Sequence, residues 1–119
     1  MRILLLNPPF LKKFSRPQSS PAVTKSGTLY FPMWLAYAAG VLSENGFEVD
    51  FVDAPADGYS PGDIIKRVRE AQPALIILDT STPSIYNDVA VAGQLKEICP
   101  SSFITLVGTH VSALPEETL

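Results

Sequence analysis

The segment Asp79-Thr80-Ser81-Thr82-Pro83-Ser84 places one carboxylate and four hydroxyls in six consecutive residues. Gly108-Thr109-His110 adds a glycine, a further hydroxyl and the single histidine of the chain. Hydroxyls donate and accept hydrogen bonds without charge, and glycine lets a bulky group approach the backbone. Together these residues suit a large neutral ligand arm. Taken singly, each has a simpler role: Thr82 or Ser84 as a helix cap, Gly108 as a turn former. His110 reads as a pocket-lining or structural residue rather than a catalytic one. Chemistry of another kind is suggested by Lys12, Lys13, Arg16 and Lys25. These four of the nine basic residues fall between positions 10 and 31, where no Asp or Glu occurs, although the chain's net charge is −3. Such a loop can neutralise a phosphate or another acidic group; the alternative is a solvated loop kept soluble by its charges.

Other chemistries are excluded by what is missing. Cys99 is the only cysteine, so the chain can form no internal disulfide and supplies no iron–sulfur or Cys-rich zinc site. No catalytic residue and no metal ligand is assigned. No G-x-G-x-x-G follows the first apolar segment and no G-x-x-x-x-G-K-[ST] occurs, which argues against dinucleotide and P-loop sites. A flavodoxin-type phosphate loop would follow the first strand, but Asn7-Pro8-Pro9-Phe10 is stiff there and its two prolines lack amide donors. Asp79 with Pro83 four residues on resembles the phosphoacceptor turn of a receiver domain. That chemistry needs a divalent cation held by further oxygen ligands, and the first strand ends in Asn7 and prolines instead. A degenerate receiver is the weakest of the alternatives.

These residues must be positioned by short apolar strands alternating with helices. Leu4 to Leu6 form the first strand, continuous in apolar character as burial on both faces requires. A long polar stretch over 10–31 follows. Met33 to Glu44 is a helix with Leu35, Ala38, Ala39 and Leu42 inward and Asn45-Gly46 as its stop; Trp34 and Tyr37 read as packing residues. Glu48 to Val52 is the second strand, followed by a loop rich in Ala, Pro, Asp and Gly. Ser60-Pro61-Gly62-Asp63 predicts a capped helix start, with Ile64, Ile65, Val68 and Ala71 buried. Ala74 to Leu78 is the third strand, Ile85 to Ile98 a helix with Ile85, Val89, Ala92 and Leu95 inward, and Phe103 to Val107 the fourth strand. Pro115-Glu116-Glu117 begins another helix, its acids at the positive end.

The pattern predicts an α/β fold, a doubly wound parallel sheet of the flavodoxin-like (Rossmann-like) kind. Residues 1–119 make one domain, the N-terminal part of a longer protein whose fifth strand lies beyond Leu119. In such sheets ligands bind outside the carboxyl ends of the strands, where strand order reverses. Here those ends are Asn7-Pro8-Pro9, Asp53-Ala54-Pro55, Asp79 through Ser84, and Gly108-Thr109-His110. The 46% hydrophobic and 18% charged content is that of a soluble globule. The acidic balance offers no case for nucleic acid, no apolar run approaches the ~18 residues of a membrane span, and a lone cysteine suits a cytoplasmic location.

The stretches Arg2-Ile3-Leu4-Leu5-Leu6-Asn7-Pro8-Pro9, Phe31-Pro32-Met33-Trp34-Leu35-Ala36-Tyr37-Ala38-Ala39-Gly40-Val41-Leu42 and Gly46-Phe47-Glu48-Val49 resemble the N-terminal cobalamin-binding domain of class B radical-SAM proteins. That group includes methyltransferases and the anaerobic magnesium-protoporphyrin monomethyl ester cyclase. Gly108-Thr109-His110-Val111-Ser112-Ala113-Leu114-Pro115-Glu116-Glu117 is similar to the family's Gly-Gly-x-His-x-x-x-x-Pro-Glu-Glu signature, with Thr109 at the second glycine if the spacing is shortened by one. The resemblance implies a cobalamin tail lined by Asn7, Pro8, Thr80, Ser81, Thr82, Gly108, Thr109 and His110. Lys12, Lys13, Arg16 and Lys25 would then meet the cofactor's phosphate or an acidic substrate. It also implies a downstream radical-SAM domain in the same polypeptide, with SAM, a [4Fe–4S] cluster and a small-molecule substrate belonging to that parent, and no catalysis by this chain alone. Methionine-synthase-type domains carry Asp-x-His-x-x-Gly after the first strand; this chain has no histidine there, so its cobalamin would lack a histidine ligand to cobalt. The alternative is the same fold without cobalamin, acting in substrate recognition or domain interaction.

Overall fold

Ile3, Leu4, Leu5 and Leu6 are all buried, as expected of a strand covered on both faces. They belong to the inner part of the sheet in a computed structural model that describes residues 1–16, 22–23, 29 and 31–118. The chain runs β1 (Arg2–Asn7), β2 (Phe14–Ser15), β3 (Ala22–Val23), α1 (Met33–Glu44), β4 (Glu48–Asp53), α2 (Ala54–Asp57) and α3 (Pro61–Ala71). It continues with β5 (Leu75–Asp79), a 3₁₀ turn (Thr82–Ser84), α4 (Ile85–Ile98), β6 (Phe103–Val107), α5 (Thr109–Ala113) and α6 (Pro115–Thr118).

The main sheet is wholly parallel, in the order β4-β1-β5-β6. The first crossover moves outward from β1 to β4, and the next returns past β1 to β5. Strand order therefore reverses between β1 and β5, the point at which open α/β sheets form their ligand crevice. The register shows the opening: the last β1–β5 pair is Leu6 with Leu78. Beyond it Asn7 stays with Asp53 on β4, while Asp79 stays with Val107 on β6.

Alternation along the strands makes two cores. Leu4, Leu6, Val52, Ile76 and Leu78 pack with Ile64 and Val68 of α3 and with Val91 and Leu95 of α4. Ile3 and Leu5 face the other way, toward Leu35 of α1, with Ala38, Ala39 and Leu42 alongside. Each fully buried Leu or Ile contributes about 1.5–3 kcal/mol relative to exposure. Among the described residues α1 is the only long helix on its face, so β6 is poorly covered there and Phe103 is 70% exposed.

The doubly wound prediction is borne out, and so is the Ser60 cap. The Ser60 hydroxyl accepts from Asp63 N (3.2 Å) while Ser60 N donates to Asp63 Oδ2 (2.8 Å). Four expectations need correction. The polar stretch after β1 contains an antiparallel pair, β2 with β3, too short for two-residue periodicity to show. The loop after β4 holds α2, closed by Gly58 at φ 71°. Trp34 and Tyr37 are not packed inward: they are 83% and 61% exposed and tilt against each other at 6.0 Å. In α4 the buried face is Ile85, Asp88, Val91 and Leu95, which places a carboxylate where the sequence suggested only apolar residues.

Candidate functional site at the strand switch point

Where β1 and β5 part, a cleft of about 750 Å³ opens along the carboxyl edge of the sheet. Thr80, Ser81 and Thr82 contribute one wall and Gly108 and Thr109 another, with Asp79 between them. Trp34, Leu35 and Ala38 of α1 supply the apolar side. The wall is held by the backbone of Val107, whose carbonyl accepts from Thr80 N (2.9 Å) and Thr80 Oγ1 (2.7 Å).

Gly108 has a local reason to be glycine. Its φ is 132°, and a Cβ there would stand 2.7 Å from both the carbonyl oxygen and the hydroxyl of Thr80. The missing side chain accommodates the β5 turn, so the simple turn-forming role accounts for Gly108 without a ligand. His110 leans on the same turn, its Nδ1 3.2 Å from Thr82 Oγ1, and stands beside the cleft lining rather than in it.

A buried polar network borders the cleft, whose lining includes Arg16. Arg16, whose side chain is fully buried, pairs with Asp88 (Nη2 to Oδ1, 2.6 Å). Its Nη1 donates to Asn7 Oδ1 (3.1 Å) and to the Pro8 carbonyl, and its Nε donates to Ser84 Oγ (3.2 Å) and Asp88 Oδ2 (3.3 Å). Phe10 and Phe14 set their rings 5.9 and 5.4 Å from the guanidinium carbon, within the range of a cation–π contact. Asp88 further accepts from Ser84 Oγ (2.6 Å) and Asn87 Nδ2 (3.1 Å), and Asn87 donates also to the Pro9 carbonyl (2.8 Å). Asn7 passes its own amide on to Asp53 Oδ1 (2.9 Å). One guanidinium thus ties the end of β1, the β2 strand and the start of α4 together.

This alters the place of the basic segment. Arg16 is engaged by Asp88, so an anion would have to displace a buried carboxylate to reach it. Lys12 and Lys13 are exposed, and Lys25 lies outside the described residues. Asn7 and Pro8 are buried under the cleft and support its wall through Arg16 instead of lining it. The sequence places Asp79 at the ligand-binding edge without making it a lining residue, which it is, and it does not show Asp88 as the partner of Arg16. A signal for Asp88 existed: Ser84, Asp88, Val91 and Leu95 share one helical face by spacing.

The charge balance is unusual for a phosphate site. One buried cation faces three carboxylates: Asp53, Asp79 and Asp88. Burial holds the Asp53 carboxyl above its ordinary range, partly offset by the hydrogen bond from Asn7. Burial likewise pushes Asp79 up to about 6; the Thr80 amide and Arg16 oppose the shift, while Asp88 and Asp53 add to it. What the cleft offers is hydroxyls, apolar surface, the Asp88-paired Arg16 and one acid, Asp79, raised to about 6.

A family model for the B12 binding domain matches residues 19–119. The chain belongs to that family. As a B12 binding domain it is similar to the anaerobic magnesium-protoporphyrin IX monomethyl ester cyclase of Cereibacter sphaeroides, with 30% identity over 74% of this chain. An uncharacterized methyltransferase of Pyrococcus horikoshii is 29% identical over 100% of the chain. The cyclase of Rubrivivax gelatinosus is 31% identical over 66% of it. The chain spans 14%, 24% and 14% of these relatives' lengths. No solved structure matches it. The family resemblance seen in the sequence is borne out, and the parallel sheet with its switch-point cleft is the fold that goes with it.

Proposed function

We propose that this domain holds cobalamin for a longer enzyme in which a radical-SAM domain follows it in the same polypeptide. The observation that carries the reading is the cleft itself: about 750 Å³ at the strand switch point, walled by hydroxyls and apolar side chains, in a B12 binding domain. Its lining suits a large ligand that is mostly uncharged. Thr80, Ser81, Thr82, Gly108 and Thr109 would hold the cofactor's tail, with Asn7 and Pro8 fixing the wall behind them. Bound cobalamin supplies methyl-transfer or related radical chemistry, and the protein supplies position and electrostatics. The only histidine, His110, follows β6 and is not among the residues lining the cleft, so in this reading the cobalt receives no histidine from this chain. SAM, a [4Fe–4S] cluster and a small-molecule substrate belong in this reading to the parent enzyme, in the cytoplasm. Methyl transfer, as the Pyrococcus horikoshii relative's name suggests, is the favoured parent reaction.

The test is direct. The chain is mixed with hydroxocobalamin over a concentration series, desalted, and scanned for corrin absorbance. Retained colour saturating at one equivalent is expected; a colourless protein at every concentration would overturn the reading. That outcome would favour the same fold as a recognition or domain-interaction module. Supporting that second role are Trp34, Tyr37 and Val41, exposed apolar residues that share one face of α1 by spacing. For the parent, the reading expects Cys-x-x-x-Cys-x-x-Cys in the polypeptide beyond residue 119.

A further inference from the structure

Asp79 stands where a ligand must meet it. It ends β5 at the point where that strand leaves β1, and it lines the cleft between the hydroxyl turn and Val107. Among the described residues its one side-chain hydrogen bond is from the amide of its neighbour Thr80 to Oδ1 (3.0 Å), and Oδ2 has no partner among them. Among the described residues the one cation lining the cleft is Arg16. The charged groups that act on it are Arg16, Asp53 and Asp88. Arg16 is taken up by Asp88 at 2.6 Å, and the two remaining groups are acids. From α5, His110 contacts Thr82 through Nδ1 (3.2 Å) and is not among the residues lining the cleft.

A ligand filling this cleft removes the water that still reaches Asp79. Desolvation disfavours the charged carboxylate unless the ligand brings a cation, and a corrinoid tail brings neutral acceptors and a phosphodiester instead. Resting on the cobalamin reading, we propose that Asp79 is a specificity-determining residue that is protonated in the complex and donates its hydrogen bond to an acceptor on the ligand's tail. Binding then takes up one proton, and the cleft selects tails that present an acceptor over tails that present a cation. The already raised carboxyl of free Asp79 lowers the cost of this step.

The sign follows from linkage. A group that is protonated in the complex and partly ionised in the free protein makes affinity constant at low pH and weaker as pH rises. With free Asp79 titrating at about 6, the dissociation constant for hydroxocobalamin should be flat below that pH and should rise by up to about tenfold per pH unit above it. Asp79→Asn offers an amide donor in the same place without a charge. It should bind at pH 8 about as tightly as the unaltered chain does at pH 5.5, and its pH profile should be flat. The ratio of the two dissociation constants at each pH cancels any titration of the ligand. Calorimetry of the unaltered chain in two buffers of different ionisation enthalpy needs no variant and should show uptake of close to one proton at pH 7.5. If hydroxocobalamin binds with no proton uptake and the two profiles run parallel, this inference fails while the cobalamin reading stands. If affinity strengthens as pH rises, Asp79 meets a cation and the inference is again overturned. Absence of binding at every pH, including 5.5, defeats both.

Discussion

Replacing Arg16 with Met isolates the weight of the buried network. Both partners of the Arg16–Asp88 pair are wholly shielded from water, so Arg16→Met leaves a carboxylate without its cation in the interior. Breaking one side of such a pair costs about 3–5 kcal/mol. The Asn7 side-chain oxygen and the Pro8 carbonyl lose a donor at the same time. Asp88 keeps Ser84 and Asn87 as donors, which places the expected loss near the lower end, about 3 kcal/mol. With a urea m-value of about 1.5 kcal/mol/M for a domain of this size, the unfolding midpoint should fall by about 2 M. The double variant Arg16→Met with Asp88→Leu removes the stranded charge as well. It should be more stable than Arg16→Met alone, which corresponds to a coupling energy of about 2 kcal/mol or more. Urea titrations followed by circular dichroism and by Trp34 fluorescence, with coincident transitions, supply all four corners of the cycle. A single-variant loss below about 1 kcal/mol, or a coupling near zero, would refute the claim that this pair fastens the three segments together.

Two further outcomes concern the cleft walls. Gly108→Ala should lose about 2–4 kcal/mol in the same titration, because its Cβ meets Thr80 at 2.7 Å and its backbone sits where side chains are strained; a loss under about 1 kcal/mol would mean that the turn yields freely. Asp79 has a folded-state carboxyl raised from 3.8 to about 6 by burial. Its contribution is therefore complete below the ordinary carboxylate range and is lost as pH climbs through about 6. Stability should drop by about 2 kcal/mol between pH 4 and 6.5 from this group, and Asp79→Asn should remove that part of the slope when midpoints are compared across pH.

The main frame was legible because each strand and helix carries its own signal. Leu4 to Leu6 read as doubly covered, Ser60-Pro61-Gly62-Asp63 as a cap, and Asn45-Gly46 as a stop, and the structure agrees on all three. The strand β2 was not legible, since two residues are too few to show a period. α2 was hidden by Pro55 and Gly58, which also mark loops. Arg16 and Asp88 are 72 residues apart, and nothing local in a lysine-rich segment separates Arg16, which goes inside, from Lys12 and Lys13, which are exposed. Trp34 and Tyr37 misled for a related reason: large aromatic rings on a helix usually point to a core, but α1 has apolar residues on several sides and only one side meets the sheet. The turn at Thr80 to Ser84 was found from residue type alone, while the role of Asp79 emerged only once its neighbours in space were known.

β6 closes the sheet on one side. Among the described residues nothing pairs with its outer edge, and Phe103 stands there 70% exposed. A row of open amides and carbonyls flanked by an aromatic ring is a template for one more strand. At high concentration that margin therefore favours self-association by strand addition.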